Sequence, residues 1–131
     1  MGFHVSTSQR IQLKDITREV ASEVEKSGLA DGIALVYVPH ATAALLINEN
    51  ERGLVSDLTW MVEHLIPWDK PYEHNRIDDN APSHLTSALL GCNLILPVTG
   101  GKLERGTWQN IFLVELDGPR QRRVIVKVVG G

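Results

Sequence analysis

The sequence predicts an α+β fold, a mainly antiparallel β-sandwich with flanking helices, formed by a single domain over residues 1–131. Three observations lead there. Short strand-like segments follow one another across tight turns, which favours antiparallel pairing. Segments of helical periodicity lie interspersed among them, the mark of an α+β architecture. No repeat, low-complexity tract or linker divides the chain.

Each element has its own signal. Residues 3–13 alternate as a strand does, whereas DITREVASEVEKSG spaces Ile16, Val20 and Val24 four apart and ends at Gly28, as an amphipathic helix with a glycine cap would. GIALVYV is a nearly continuous apolar run, which fits a strand covered on both faces. HATAALLINEN reads as extended. In ERGLVSDLTWMVEHLI, Leu54, Val55, Leu58, Met61, Val62 and Leu65 recur at helical spacing until Pro67 ends the run. A short helix over 81–90 stops at Gly91, and NLILPV, TWQNIFLVELDG and RRVIVKVV are strands. In the middle one, Thr107, Gln109, Ile111, Leu113, Glu115 and Asp117 share a face, so that face carries a polar group at each end.

Composition narrows the classes of function. The 43% apolar and 22% charged content suit a globular domain, and no run approaches the roughly 20 apolar residues that span a bilayer. The opening MGFHVSTSQR lacks a basic stretch followed by an apolar one, so the expected compartment is the cytoplasm. A net charge of -3 argues against a nucleic-acid surface. Arg120, Arg122, Arg123 and Lys127 cluster locally and read as a polar strand face, with a small anion at Arg120 as the functional alternative. Cys92 is the single cysteine, which excludes an intrachain disulfide and a multi-cysteine zinc site; it reads as a buried, inert thiol.

The chemistry concentrates in YEHNRIDDNAPSHL, residues 72–85. Asn80 or Asp79 is placed to cap the following helix, with Pro82 where a missing N–H does no harm. His84, four residues after Asn80, then falls on the side of the helix start that faces His74. Neutral imidazoles suit zinc, and catalytic zinc keeps three protein ligands and one open position; His40, at a strand end, is the third candidate. The same histidines also suit hydrogen-bonding, acid/base or plain structural roles. A carboxylate of Asp78 or Asp79 left over from capping can orient a histidine, act as general base, or bind magnesium. Glu49, between Asn48 and Asn50, is either a similar group or an acid at a helix start. Glu115 and Asp117 either pair with Arg120 or line the same pocket, while His4 and His64 read as structural or solvated.

Four blocks taken together, PHATAALLINEN at 39–50, HNRIDDNAPSHL at 74–85, LPVTGGKLERGTWQNIF at 96–112 and ELDGPR at 115–120, resemble those of the YjbQ family in order and spacing. That resemblance implies a compact β-sandwich that assembles as a homotrimer. It also implies a secondary thiamine phosphate synthase activity, which joins a hydroxymethylpyrimidine diphosphate to a thiazole phosphate and releases pyrophosphate. It makes His40, Asp79 and His84 the catalytic candidates, His40, His74 and His84 the ligands of a divalent metal, zinc or magnesium, and a small phosphorylated metabolite the partner. Glu49, Asn50, Asn75, Asn80, Thr107, Gln109, Glu115 and Arg120 become the lining candidates. Alternatives from other classes are a metal-dependent hydrolase of a phosphorylated or amide metabolite and a non-catalytic metabolite- or metal-binding trimer. Three positions depart from the family: Ala41 where threonine is frequent, Arg105 where an aliphatic residue is usual, and Thr86 where a lysine would supply a phosphate contact.

Overall fold

Two antiparallel sheets face each other across an apolar core in the computed structural model, which describes residues 1–131. The strands are β1 (Gly2–Ser6), β2 (Gln12–Asp15), β3 (Asp31–Tyr37), β4 (Ala43–Asn48), β5 (Asn93–Thr99), β6 (Lys102–Leu103), β7 (Asn110–Glu115) and β8 (Gln121–Gly130). The helices are α1 (Thr17–Lys26), α2 (Arg52–His64) and α3 (Ala81–Leu90), with one 3-10 turn over Glu73–Arg76. One sheet has the order β1-β8-β3-β5-β6 and the other β2-β7-β4. The predicted α+β class is therefore the observed one.

The central strand of the smaller sheet, β7, is buried on both faces. Ile111 and Leu113 enter the core between the sheets with Val36, Val98, Val124 and Val126, and α1 closes that core with Val20 and Val24. Val114 and Leu116 face the other way, onto Val62 of α2 and Ala44. Helix α3 lies on this outer side, tied down by Ser83 Oγ donating to the Leu116 carbonyl and Ser87 Oγ to the Ala43 carbonyl, each at 2.6 Å. Gly91 ends it with φ of 95°, a backbone state that glycine adopts without steric cost. No helix is long and apolar enough to cross a membrane.

Four local expectations change. Residues 3–13 form two strands, not one: β1 pairs with β8 and β2 with β7, so the chain changes sheets at Thr7 to Ile11. Alternation persists on both sides of that crossing, and period alone does not distinguish two partners. GIALVYV is not covered on both faces, because Ile33 and Tyr37 on its outer side stay exposed, as does Ile95 beside it. Of the apolar stripe on α2 only Val62 is fully buried. Cys92 is partly exposed rather than buried.

The packing predicts a sharp contrast between two aromatic truncations. Phe112 is 1% exposed, so Phe112→Ala should cost about 3–5 kcal/mol in urea unfolding. Trp60, 63% exposed, should tolerate Ala within about 0.5 kcal/mol.

Candidate active site

The site is built on the C-terminal end of β7 and the turn that follows. Alternation along β7 turns Glu115 to the same side as Ile111 and Leu113, between the sheets, while on β8 it turns Arg122 inward with Val124 and Val126. The two charges meet there. Arg122 Nε donates to Glu115 Oε1 at 2.9 Å and Nη2 to Oε2 at 2.5 Å, a bidentate pair whose side chains are 4% and 0% exposed. Arg122 Nη2 also donates to the carbonyl and Oγ1 of Thr42, at 2.8 and 2.9 Å. Glu115 further accepts from Thr7 Oγ1 at 2.8 Å and from the Asp117 N–H at 2.9 Å. Burial pushes the Glu115 carboxyl upward, but these hydrogen bonds and the Arg122 charge outweigh it and hold it below the usual carboxylate value. No buried side-chain polar atom lacks a partner.

This pair fixes what lies above it. Asp117 is anchored through its N–H, and its Oδ2 accepts from Asn80 Nδ2 at 2.9 Å and Arg120 Nη2 at 3.1 Å. Arg120 also donates from Nε to the Asp117 carbonyl at 2.8 Å, while its N–H donates to Thr7 Oγ1. Between them Gly118 leaves no room for a side chain, since a Cβ would meet the Gln9 carbonyl and the Glu115 and Thr7 side chains. Asn80 Oδ1 faces His74 Nε2 at 3.1 Å. Because Asn80 Nδ2 is already donating to Asp117, Oδ1 must accept, so His74 carries its proton on Nε2. The His74 and His84 rings then meet edge to face with centroids 4.6 Å apart. Both line a cleft of about 370 Å³ with Tyr72, Glu73, Ala81 and Leu85. A hydrogen-bonded chain thus runs from Arg120 through Asp117 and Asn80 to His74, whose ring packs edge to face on that of His84.

His40 stands on the other flank of the buried pair. Its Nε2 accepts the Arg123 N–H at 2.8 Å. Burial, and next the positive charge of Arg122, push its imidazole below the ordinary value, in keeping with the acceptor role of Nε2. No three His, Cys, Asp or Glu side chains converge to hold a metal ion. His40 Nε2 is engaged by backbone and His74 Nε2 by Asn80, so the expected set of His40, His74 and His84 is not assembled as metal ligands in this chain.

The remaining expected residues divide. Asn80 occupies the cap position of α3 but makes no capping bond with its side chain, which bridges His74 and Asp117 instead. Asp79 and Asn75 are exposed on the loop, and the carboxylate joined to His74 through Asn80 is Asp117. Glu49, Asn50, Thr107 and Gln109 lie at the opposite end of the smaller sheet. The register that sets Ala43 beside Glu115 sets Asn48 beside Asn110, about 17 Å away at 3.3–3.4 Å per residue. Asn50 and Asn110 there donate to Asp15 Oδ2, at 2.7 and 2.9 Å, and Gln109 Oε1 accepts the Gly106 N–H. Sharing a strand face did not mean sharing a site. The acid that caps α2 is Glu51, not Glu49: it accepts from the Gly53 and Leu54 N–H groups. Sequence reasoning missed Arg122, Thr7 and Thr42. The inward period of Arg122 with Val124 and Val126 was the one available signal.

Glu115→Gln, which leaves Arg122 buried against a neutral amide, should cost about 3–5 kcal/mol in chemical unfolding. The linkage with pH has a definite sign. Because the folded carboxyl titrates below its ordinary value of 4.5, its stabilisation is full above that pH and is lost as pH falls through the lowered value. Acid unfolding curves should therefore be flatter below pH 4.5 for Glu115→Gln than for the wild type, and equal slopes would contradict the assignment.

The sequence profile described as UPF0047 protein YjbQ-like matches residues 1–131. A UPF0047 protein of Archaeoglobus fulgidus is 49% identical over 129 residues, covering 98% of this chain and 100% of that protein. YugU of Bacillus subtilis, also a UPF0047 protein, is 35% identical over 98% of this chain and 97% of its own. Among solved structures, a YbjQ-like protein of unknown function from Sulfolobus solfataricus superposes with a TM-score of 0.97 at 48% identity, covering 100% of this chain and 96% of that one. An uncharacterized YjbQ/UPF0047 protein of Clostridium acetobutylicum gives 0.92 at 35% identity, over 98% and 99% of the two chains. With its whole length matched by the family profile and by relatives of nearly equal length, this chain belongs to the YjbQ/UPF0047 family.

Proposed function

We propose that this chain is a transferase of the thiamine phosphate synthase type, joining a hydroxymethylpyrimidine diphosphate to a thiazole phosphate with release of pyrophosphate. The observation that carries the reading is the ordered chain from Arg120 to His84, with a guanidinium at one end and a pair of imidazoles over a ligand-sized cleft at the other. In such a transfer the bond from the pyrimidine methylene carbon to the diphosphate oxygen breaks, and the thiazole nitrogen supplies the electron pair for the new bond. The reaction requires the leaving charge to be neutralised and the partners to be aligned more than it requires a strong base. Arg120, with its side chain 53% exposed, supplies fixed positive charge. His84, when protonated, donates a proton to the departing oxygen. His74, fixed in one tautomer by Asn80, orients it.

The proposed setting is the cytoplasm, and the proposed assembly is a homotrimer. The number three comes from the family resemblance. Support for association comes from the uncovered face of the larger sheet, where Ile33, Tyr37, Ile95 and Val129 are 49%, 37%, 62% and 54% exposed. Light scattering should give three times the chain mass, and Ile95→Lys should reduce it; a monomeric wild type would refute the assembly.

The activity is tested by incubating the protein with both substrates, with and without zinc or magnesium, and following thiamine phosphate and pyrophosphate. His84→Ala should lower turnover about a hundred- to ten-thousand-fold with unchanged unfolding. Phosphate release that ignores the thiazole would replace the transferase with a hydrolase. Saturable binding without turnover would replace it with a binding protein.

A further inference from the structure

We propose that the cleft beside the histidine pair, lined in part by Trp68, is a second subsite that holds a planar, amino-substituted heteroaromatic ring. The inference rests on the transferase reading and deepens it, assigning this cleft to the aminopyrimidine of the diphosphate donor.

Space is the first argument. A cleft of about 370 Å³ lies near the lower end of the range of roughly 300–1,000 Å³ typical of ligand sites, enough for one phosphorylated ring. A reaction that joins two such molecules needs more. The neighbouring cleft measures about 850 Å³.

Continuity is the second. The strap over 66–72 borders both clefts: Pro67 lines the larger one, and its carbonyl accepts a 2.6 Å hydrogen bond from the hydroxyl of Tyr72, which lines the smaller. On the opposite side Arg10 lines the larger cleft, and its carbonyl accepts the N–H of Gly118, the residue after Asp117, at 3.0 Å. A molecule seated over Trp68 therefore lies next to the chain that ends at His84.

Chemistry selects the ligand. Trp68 is 37% exposed, and a planar cation already lies over its ring, with Arg10 Cζ 4.5 Å from the centroid. The electron-rich face of an indole favours planar, electron-poor or cationic groups, and an aminopyrimidine has that character. Such a ring takes the place of the guanidinium, which leaves Arg10 free for the donor's diphosphate. Glu63 and Asp69 border the same cleft and supply acceptors for an exocyclic amine. A ring with no N–H donor leaves those carboxylates unanswered. His64 completes the wall, held against Trp60 with ring centroids 4.5 Å apart.

The test is calorimetric titration of the full chain with the phosphate-free aminopyrimidine alcohol, with unsubstituted pyrimidine and inorganic phosphate as controls. Saturable binding of the aminopyrimidine is expected. It should weaken about tenfold or more in Trp68→Leu and in Asp69→Asn, and remain unchanged in Trp108→Phe. Asp69→Asn alters an exposed side chain, so it keeps the test meaningful should Trp68→Leu unfold. No binding, equal affinity for pyrimidine, or wild-type affinity in folded variants would overturn the subsite. The two readings fail separately. Ring binding with this variant pattern but without product formation sinks the transferase and leaves the subsite, whereas wild-type turnover and KM in Trp68→Leu sink the subsite and leave the transferase.

Discussion

The Glu115 carboxylate and the Arg122 guanidinium are both shut away from water at one end of the core between the sheets. Removing two charges from water costs several kcal/mol each, and only bidentate geometry with every remaining donor and acceptor engaged offsets that cost. Here Thr7, Thr42 and the Asp117 backbone add hydrogen bonds to the bidentate contact, and no buried side-chain polar atom is left without a partner. The pair and these partners come from four different stretches of chain, so the pair acts as a geometric pin. The crossing between β1 and β2, the start of β4, the end of β7 and the start of β8 must all arrive at one point.

From that pin the candidate site follows by short steps. Thr7 Oγ1 serves both Glu115 and the Arg120 N–H, so one hydroxyl links the buried pair to the exposed guanidinium. Asp117 receives its position from below and passes it outward to Asn80, which sets the tautomer of His74. Helix α3 brings His84 to the same place because Ser83 and Ser87 clip it to the sheet carrying these residues. Mobile side chains are thereby held by groups that are themselves held, which is how polar constellations keep reactive geometry.

The opposite end of β7 shows the same means used for another end. Asp15 accepts from Thr17, Asn50 and Asn110, and burial, which raises its carboxyl, is outweighed by those bonds, which lower it. This cluster ties the start of α1 to β7 and to the chain after β4. It absorbs Asn50, one of the residues expected at the histidine site, into a structural tie.

Composition, period and turn residues were enough to determine the class of fold, the three helices, nearly every strand, and the inward face of β7 on which Ile111, Leu113 and Glu115 lie. These are local quantities: a period of 2 or 3.6 and a glycine or proline stop are properties of consecutive residues. The loop that carries His74, Asn80 and His84 was legible for the same reason, since the spacing from Asn80 to His84 is one helical turn. What period does not encode is which strands become neighbours and which end of a strand meets which loop. Tertiary structure alone placed β1 and β2 in different sheets, turned Arg122 from a presumed surface charge into the buried partner of Glu115, and set His40 against the Arg123 backbone rather than into a three-histidine cluster. It also parted Glu49, Asn50, Thr107 and Gln109 from the histidines by the length of β7, because a strand keeps its side chains on one face without keeping them near one another.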